Sequence, residues 1–219
     1  MYKHFGKRLF DVVFASVAFL VFLPAIAIVL ALLAIANNGQ PFFFQLRPGR
    51  DEKLFTIIKF KTMNDRKDSS GRLLSDADRL TNVGRFVRKT SLDELPQLIN
   101  VILGDMSLIG PRPLLPEYLA HYTNVEKRRH DVRPGITGLA QVKGRNQMKF
   151  SERLKNDVYY VDNLSFSLDF EVFLLTIKTI LFKSKTVVHG QTVDEVDDIG
   201  LSRNLSSNHF NNKRNEHKG

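Results

Sequence analysis

VVFASVAFLVFLPAIAIVLALLAIA, residues 12–36, carries one hydroxyl, Ser16, and no charge. About 20 apolar residues cross the hydrocarbon of a bilayer, so this run is long enough to do so. Lys3, Lys7 and Arg8 precede it and Ala34-Ile35-Ala36 closes it, as in a secretory leader. The apolar run is too long for a leader, and the segment is read as retained. Two geometries stay open from these residues: a single span, or a helix broken at Pro24 whose two ends lie on one face of the membrane. Pro24 sits mid-run, where it removes a backbone hydrogen bond and crowds the preceding turn, but spanning helices also tolerate proline. Three basic residues flank each end, Lys3, Lys7 and Arg8 before and Arg47, Arg50 and Lys53 after. That balance lacks the asymmetry of a span and suits two ends in the cytosol.

Beyond the run the pattern changes to short elements. Pro41–Gln45 (PFFFQ) and Leu54–Phe60 (LFTIIKF) read as strands of a hairpin with Arg47-Pro48-Gly49-Arg50 in the turn. Asp65–Asp78 reads as a polar loop leading to a short helix at Asp76–Leu80, and Asn82–Lys89 is basic and amphipathic. Ser91 followed by Glu94 has the capping-box spacing, which predicts a helix from Ser91 to Leu103 with Pro96 as a conflict near its start. Gly110–Pro113 and Arg133–Gly138 read as rigid loops. Pro116–Asp131, Ser151–Val161 and Asp169–Lys183 read as helices, with Asp169 as an N-cap. Leu139–Val142 reads as a short strand. The last helix is apolar on a broad face, suited to the core or to a membrane interface. From Gln191 the pattern fades into an Asn-, Ser- and Lys-rich tail, read as unstructured.

The chain has 219 residues, 43% hydrophobic and 25% charged, with a net charge of +9. Such a balance favours a polyanionic partner: nucleic acid, an anionic membrane or phosphorylated substrates. With no cysteine there is no disulfide, thiol nucleophile or cysteine-ligated zinc. No two of the six histidines have metal-ligand spacing, and neither a G-x-x-x-x-G-K loop nor a G-x-S-x-G elbow occurs. No nucleic-acid-binding motif is present, and the apolar segment argues against that class.

What remains is an acidic pair in a basic setting: Asp93-Glu94, with Arg85, Arg88 and Lys89 just before it. A carboxylate at a helix start stays ionised and can attack phosphorus, and its neighbour can help hold a divalent cation. The plain alternative is that both are ordinary first-turn residues. Arg112, stiffened between Pro111 and Pro113, is aimed for bidentate phosphate binding, or is a turn arginine on the surface. Lys59 and Arg145 are similar candidates.

Five motifs in order carry a resemblance: KFKTM (Lys59–Met63), SLDELPQLINV (Ser91–Val101), GDMSLIGPRPLL (Gly104–Leu115), RPGITGLAQVKGRN (Arg133–Asn146) and DVYYVDNLSFSLD (Asp157–Asp169). With Phe10-Asp11, Pro24 and Arg47-Pro48-Gly49, the set resembles the bacterial monotopic phosphoglycosyl transferases over about residues 1–190. The resemblance implies an α+β, mostly helical fold: a re-entrant membrane helix broken at Pro24 (residues 1–38), a compact cytosolic catalytic domain with a small β-hairpin and interfacial amphipathic helices (residues 39–190), and the tail (residues 191–219). The resemblance further implies that Asp93 attacks the β-phosphate of a UDP-sugar, releases UMP and holds the phospho-sugar, which undecaprenyl phosphate then takes in a ping-pong cycle. Mg2+ would be required, with Asp93 and Glu94 as its protein ligands. Lys59, Arg88, Arg112 and Arg145 would hold phosphates. The chain resembles the minimal form, whose small members often use bacillosamine-type diacetamido sugars. Expected partners are the UDP-sugar, undecaprenyl phosphate and membrane lipid at the cytosolic face of the inner membrane, with a homodimer left open and nucleic acid excluded. A membrane-anchored scaffold without catalysis is the alternative.

Overall fold

A computed structural model describes residues 2–144, 148–181 and 196–201. The chain forms two compact units: residues 3–46 with 55–108, and residue 2 with 47–54 and 109 onward. Both are mostly helical, and the strands make two small two-stranded sheets.

The first unit is organised on α1 (Lys7–Ala36), one continuous helix with Pro24 inside it. Among the described residues it is the helix long and apolar enough to cross a membrane. Its buried residues fall in two groups at its ends: Lys7, Asp11 and Ala15, then Val29 and Leu33. The four-residue spacing puts each group on one helix face. Leu20 to Pro24, midway, are all exposed. At the first end, Arg8 donates to the carbonyls of Val101 (2.6 Å) and Ile102 (2.9 Å), and Asp11 accepts from the Leu108 amide (3.1 Å). At the other end, Val29 and Leu33 pack with Phe60 and Val87, and Asn37 donates to the Lys61 carbonyl (2.6 Å). Two of the basic residues counted as flanks therefore have structural partners: Arg8 caps a helix end, where a cation suits the macrodipole, and Lys7 lies 3.7 Å from Asp11.

The hairpin forms from β1 (Phe42–Pro48) and β2 (Leu54–Phe60), with Arg47 and Pro48 in the strand rather than in the turn. Next come α2 (Asp76–Arg79), capped by Ser75, and α3 (Asn82–Lys89), capped by Thr81. The capping box expected at Ser91 does not form. Ser91 is left-handed (φ 59°), Leu92–Glu94 make a single 3-10 turn, and α4 (Gln97–Leu103) starts only after Pro96. Proline lacks an N–H, so it is placed at the helix entrance rather than inside. Asn100 of α4, buried, donates to the Thr56 carbonyl (2.8 Å) and accepts from the Ile58 amide (3.1 Å), fastening α4 to β2.

β3 (Ser107–Ile109) leads into the second unit, where Ile109 and Gly110 lie beside β4 (Gly135–Thr137). The helix expected over Pro116–Asp131 is broken into a 3-10 stretch (Pro116–His121), α5 (Asn124–Lys127) and a 3-10 turn (Arg128–His130). Thr123, in extended backbone, starts α5 with a complete capping box to Glu126 and so interrupts the run. Leu139–Val142 is not a strand but part of α6 (Leu139–Gly144); Leu, Ala and Gln are good helix formers. α7 (Phe150–Asp162) follows. α8 (Phe166–Leu181) starts earlier than expected. Ser165 accepts from the Leu168 amide (3.3 Å) at its start, so Asp169 is not the N-cap. Asp169 is buried and accepts from the hydroxyls of Tyr160 (2.6 Å) and Tyr2 (2.5 Å). Most of the expected tail lies outside the described residues. The piece Val196–Leu201 packs Val196 and Leu201 against Leu114, Tyr118, Tyr122, Phe150 and Leu154.

Candidate active site

The first unit brings together Asp93, Glu94, Lys59 and Arg88. The acidic pair sits on the 3-10 turn between α3 and α4, ahead of the helix start rather than on its first turn. Glu94 does not reach back to Ser91; its Oε1 accepts from Lys59 Nζ of β2 at 2.8 Å. Arg88, in the last turn of α3, donates from Nε to Thr62 Oγ1 at 2.7 Å. α3 can lie this close because of Gly84, where a Cβ would meet the Thr62 carbonyl oxygen at 1.9 Å. Thr62 and Asn100 are positioning residues that the sequence reading missed. A lone Asn inside the apolar run of QLINVIL (Gln97–Leu103) was the signal for the second; no signal marks Thr62.

Burial pushes the Asp93 carboxyl up to about 6, and the neighbouring Glu94 charge adds to this; Lys59 and Arg88 pull it back. The group is thus less ionised than a free carboxylate; a nearby cation would draw the proton off, whereas a bound phosphate would hold it.

In the second unit, Arg112 lies in the loop Gly110–Pro113, which lines a crevice with Pro48, His130 and Val132. Several guanidinium groups act on one another there. Burial pushes the Arg47 guanidinium down, and repulsion from Arg112 adds to it. Burial also pushes Arg153 down, against the pull of Asp157 and with repulsion from Arg112 and Arg129. Arg145 lies outside the described residues.

No cluster of three or more His, Asp or Glu suited to a metal is found among the described residues. That does not conflict with Mg2+, which commonly takes one or two carboxylates and completes its shell with waters and substrate phosphates. Two adjacent carboxylates, one of them raised by burial and then by its neighbour's charge, fit such a half-site.

Residues 2–183 match the bacterial sugar transferase family. The chain belongs to that family. This sugar transferase is 51% identical over 180 residues to the uncharacterized sugar transferase EpsL of Bacillus subtilis, covering 80% of this chain and 87% of that one. It is 37% identical over 196 residues to the undecaprenyl-phosphate galactose phosphotransferase of Salmonella typhimurium, 82% of this chain and 41% of the relative. It is 35% identical over 181 residues to the UDP-glucose:undecaprenyl-phosphate glucose-1-phosphate transferase of Klebsiella pneumoniae, 78% of this chain and 39% of the relative.

Proposed function

We propose that this phosphoglycosyl transferase moves a sugar 1-phosphate from a UDP-sugar to undecaprenyl phosphate, with Asp93 as the nucleophile. The observation that carries the assignment is the pairing of Glu94 with Lys59 beside a desolvated Asp93, within reach of the Arg88 charge. Glu94 is engaged by Lys59, which leaves Asp93 as the carboxylate for bond formation. An Asp93 oxygen attacks the β-phosphorus of the UDP-sugar. The bond from that phosphorus to the bridging oxygen breaks, and UMP leaves with the electron pair. The phospho-sugar is held as an acyl phosphate until a phosphate oxygen of undecaprenyl phosphate attacks the same phosphorus and expels the carboxylate. Lys59 and Arg88, with Arg112 and Arg145, hold phosphate charge. Asp93 and Glu94 would hold Mg2+, which would supply neutralisation of the diphosphate charge.

The reading includes a membrane geometry. A straight helix would put Arg8 and Leu33 about 38 Å apart. Arg8 is bonded to Val101 and Ile102, whereas Leu33 packs with Phe60; Asn100 bonds Ile58, two residues from Phe60. Both ends of α1 are thus tied to neighbouring parts of one small unit. The exposed midpoint at Pro24 supports a bend there and a helix that enters and leaves on one face, the cytosolic face of the inner membrane. On α8, Phe166, Phe170, Phe173, Leu174, Ile177 and Ile180 are exposed while Asp169 and Val172 are buried. An apolar stripe of this kind suits the membrane interface.

The relatives' names mention galactose and glucose, so the donor panel includes UDP-galactose and UDP-glucose beside the diacetamidobacillosamine nucleotide. Detergent-solubilised full-length protein is incubated with Mg2+, undecaprenyl phosphate and each donor, and UMP is measured. UMP from one or two donors, lost in Asp93→Asn, is expected. Release that survives Asp93→Asn excludes Asp93 as nucleophile, and no release from any donor favours a non-catalytic anchor protein.

A further inference from the structure

The backbone around Arg112 is fastened at successive positions. Tyr160 donates from its hydroxyl to the Ile109 carbonyl (3.0 Å), and the Gly110 amide donates to the Thr137 carbonyl (2.9 Å). The Gly135 amide donates to the Pro111 carbonyl (3.0 Å). A Cβ at Gly135 would meet the Gly110 nitrogen at 2.1 Å, so only glycine allows that approach. The carbonyl of Arg112 itself is held differently: it accepts from Arg129 Nη2 at 2.6 Å.

Arg129 is an unusual clamp. It is 2% exposed, and so is its partner Asp157. Asp157 Oδ2 accepts from Nε (3.1 Å) and Nη2 (2.8 Å), and the Tyr122 hydroxyl accepts from Nη1 (3.3 Å). A buried ion pair adds little net stability over apolar residues of the same volume. Stability therefore does not explain why full charges are buried here. What the pair does uniquely is bring a charge-assisted donor, stronger than a neutral one, to a single peptide carbonyl. That peptide belongs to the one residue in the loop with a phosphate-binding side chain. A displacement of about 1 Å in a binding group can cost 100-fold in rate.

We propose that Arg129, oriented by Asp157, is a positioning residue that fixes the aim of Arg112 at a substrate phosphate. This rests on reading Arg112 as a phosphate ligand. Arg129→Met/Asp157→Leu removes both charges together and so avoids an orphaned ion. Binding is measured on full-length protein in detergent with two probes, UDP with Mg2+ and undecaprenyl phosphate, alongside thermal unfolding. Arg112→Ala identifies which probe depends on Arg112, with an expected loss of about tenfold or more. The double variant is expected to keep its unfolding temperature and to weaken that same probe, leaving the other unchanged. Combined with Arg112→Ala it adds no further loss. A folded double variant that binds both probes normally, or weakens both equally, overturns the positioning role. Arg112→Ala with normal binding of both probes overturns the reading of Arg112 instead. If the double variant does not fold, Arg129→Lys takes its place: it keeps a charge for Asp157 but lacks the guanidinium fork that also reaches the Arg112 carbonyl. Selective weakening of the Arg112-dependent probe then supports the proposal, and normal binding overturns it.

Discussion

At Leu92–Glu94 two carboxylates stand side by side on a short turn entered through a left-handed serine, and burial drives one of them toward its protonated form. In the loop at Gly110–Pro113 the backbone is bonded at residue after residue, and the buried charge behind it, Arg129, is fully partnered. There, burial alone would lower the Arg129 guanidinium, but Asp157 and Tyr122 hold it above its ordinary value. One region leaves a carboxyl desolvated beside a like charge; the other ties its backbone down with a donor from a buried ion pair. On the proposed roles, the difference separates a residue that must change its bonding from one that must keep its direction. A reactive carboxylate gains from being poorly solvated, whereas a binding arginine gains from a fixed backbone.

The comparison breaks most visibly at Asp93. Asp93→Asn is expected to lower UMP release by at least about 1,000-fold, read as steady-state turnover. In the fastened loop the large effect falls on stability instead. Arg129→Ala leaves Asp157 buried without its ion partner and is expected to cost about 3–5 kcal/mol in denaturant unfolding. The same experiment on Asp93→Asn should go the other way. The Asp93 carboxyl has an ordinary value of 3.8 and titrates at about 6 in the folded chain, so the folded state holds more proton between those values. Stability is then lost as pH rises through that window. Asp93→Asn is expected to be more stable than the parent by up to roughly 3 kcal/mol at pH 8, with the difference gone near pH 4.

Gly84 shows why the first region was only partly legible. As one glycine in an amphipathic helix it carries no signal of the Thr62 carbonyl it must approach. Gly84→Ala should cost about 1–3 kcal/mol and weaken substrate binding through Arg88, seen as a raised KM. The hairpin and α7 could be read from the sequence because apolar strand runs around turn residues, and helical periodicity, extend over several residues. β3 and β4, with three residues each, carry no period at all. The S-x-x-E signal failed because Pro96 delays the helix and Lys59, distant in sequence, takes the Glu94 side chain. The acidic pair was visible, but the pairing of Glu94 with Lys59 depends on β2. The smallest expected effect tests that point. Lys59 pulls the Asp93 carboxyl down, so Lys59→Met should move the acid limb of the pH–rate profile above its parent position near 6.

The way α1 is fastened bears on any attempt to make a soluble version of this enzyme. Trimming the chain at Asn38 would leave the α4 carbonyls of Val101 and Ile102 without Arg8, the Leu108 amide without Asp11, and Phe60 and Val87 without the side chains that cover them. The fragment would be a damaged half-core, prone to clump, with the β2 and α4 supports of the acidic turn loosened. A shorter, polar linker grafted between residues 16 and 28, keeping both fastened ends, is the more promising cut.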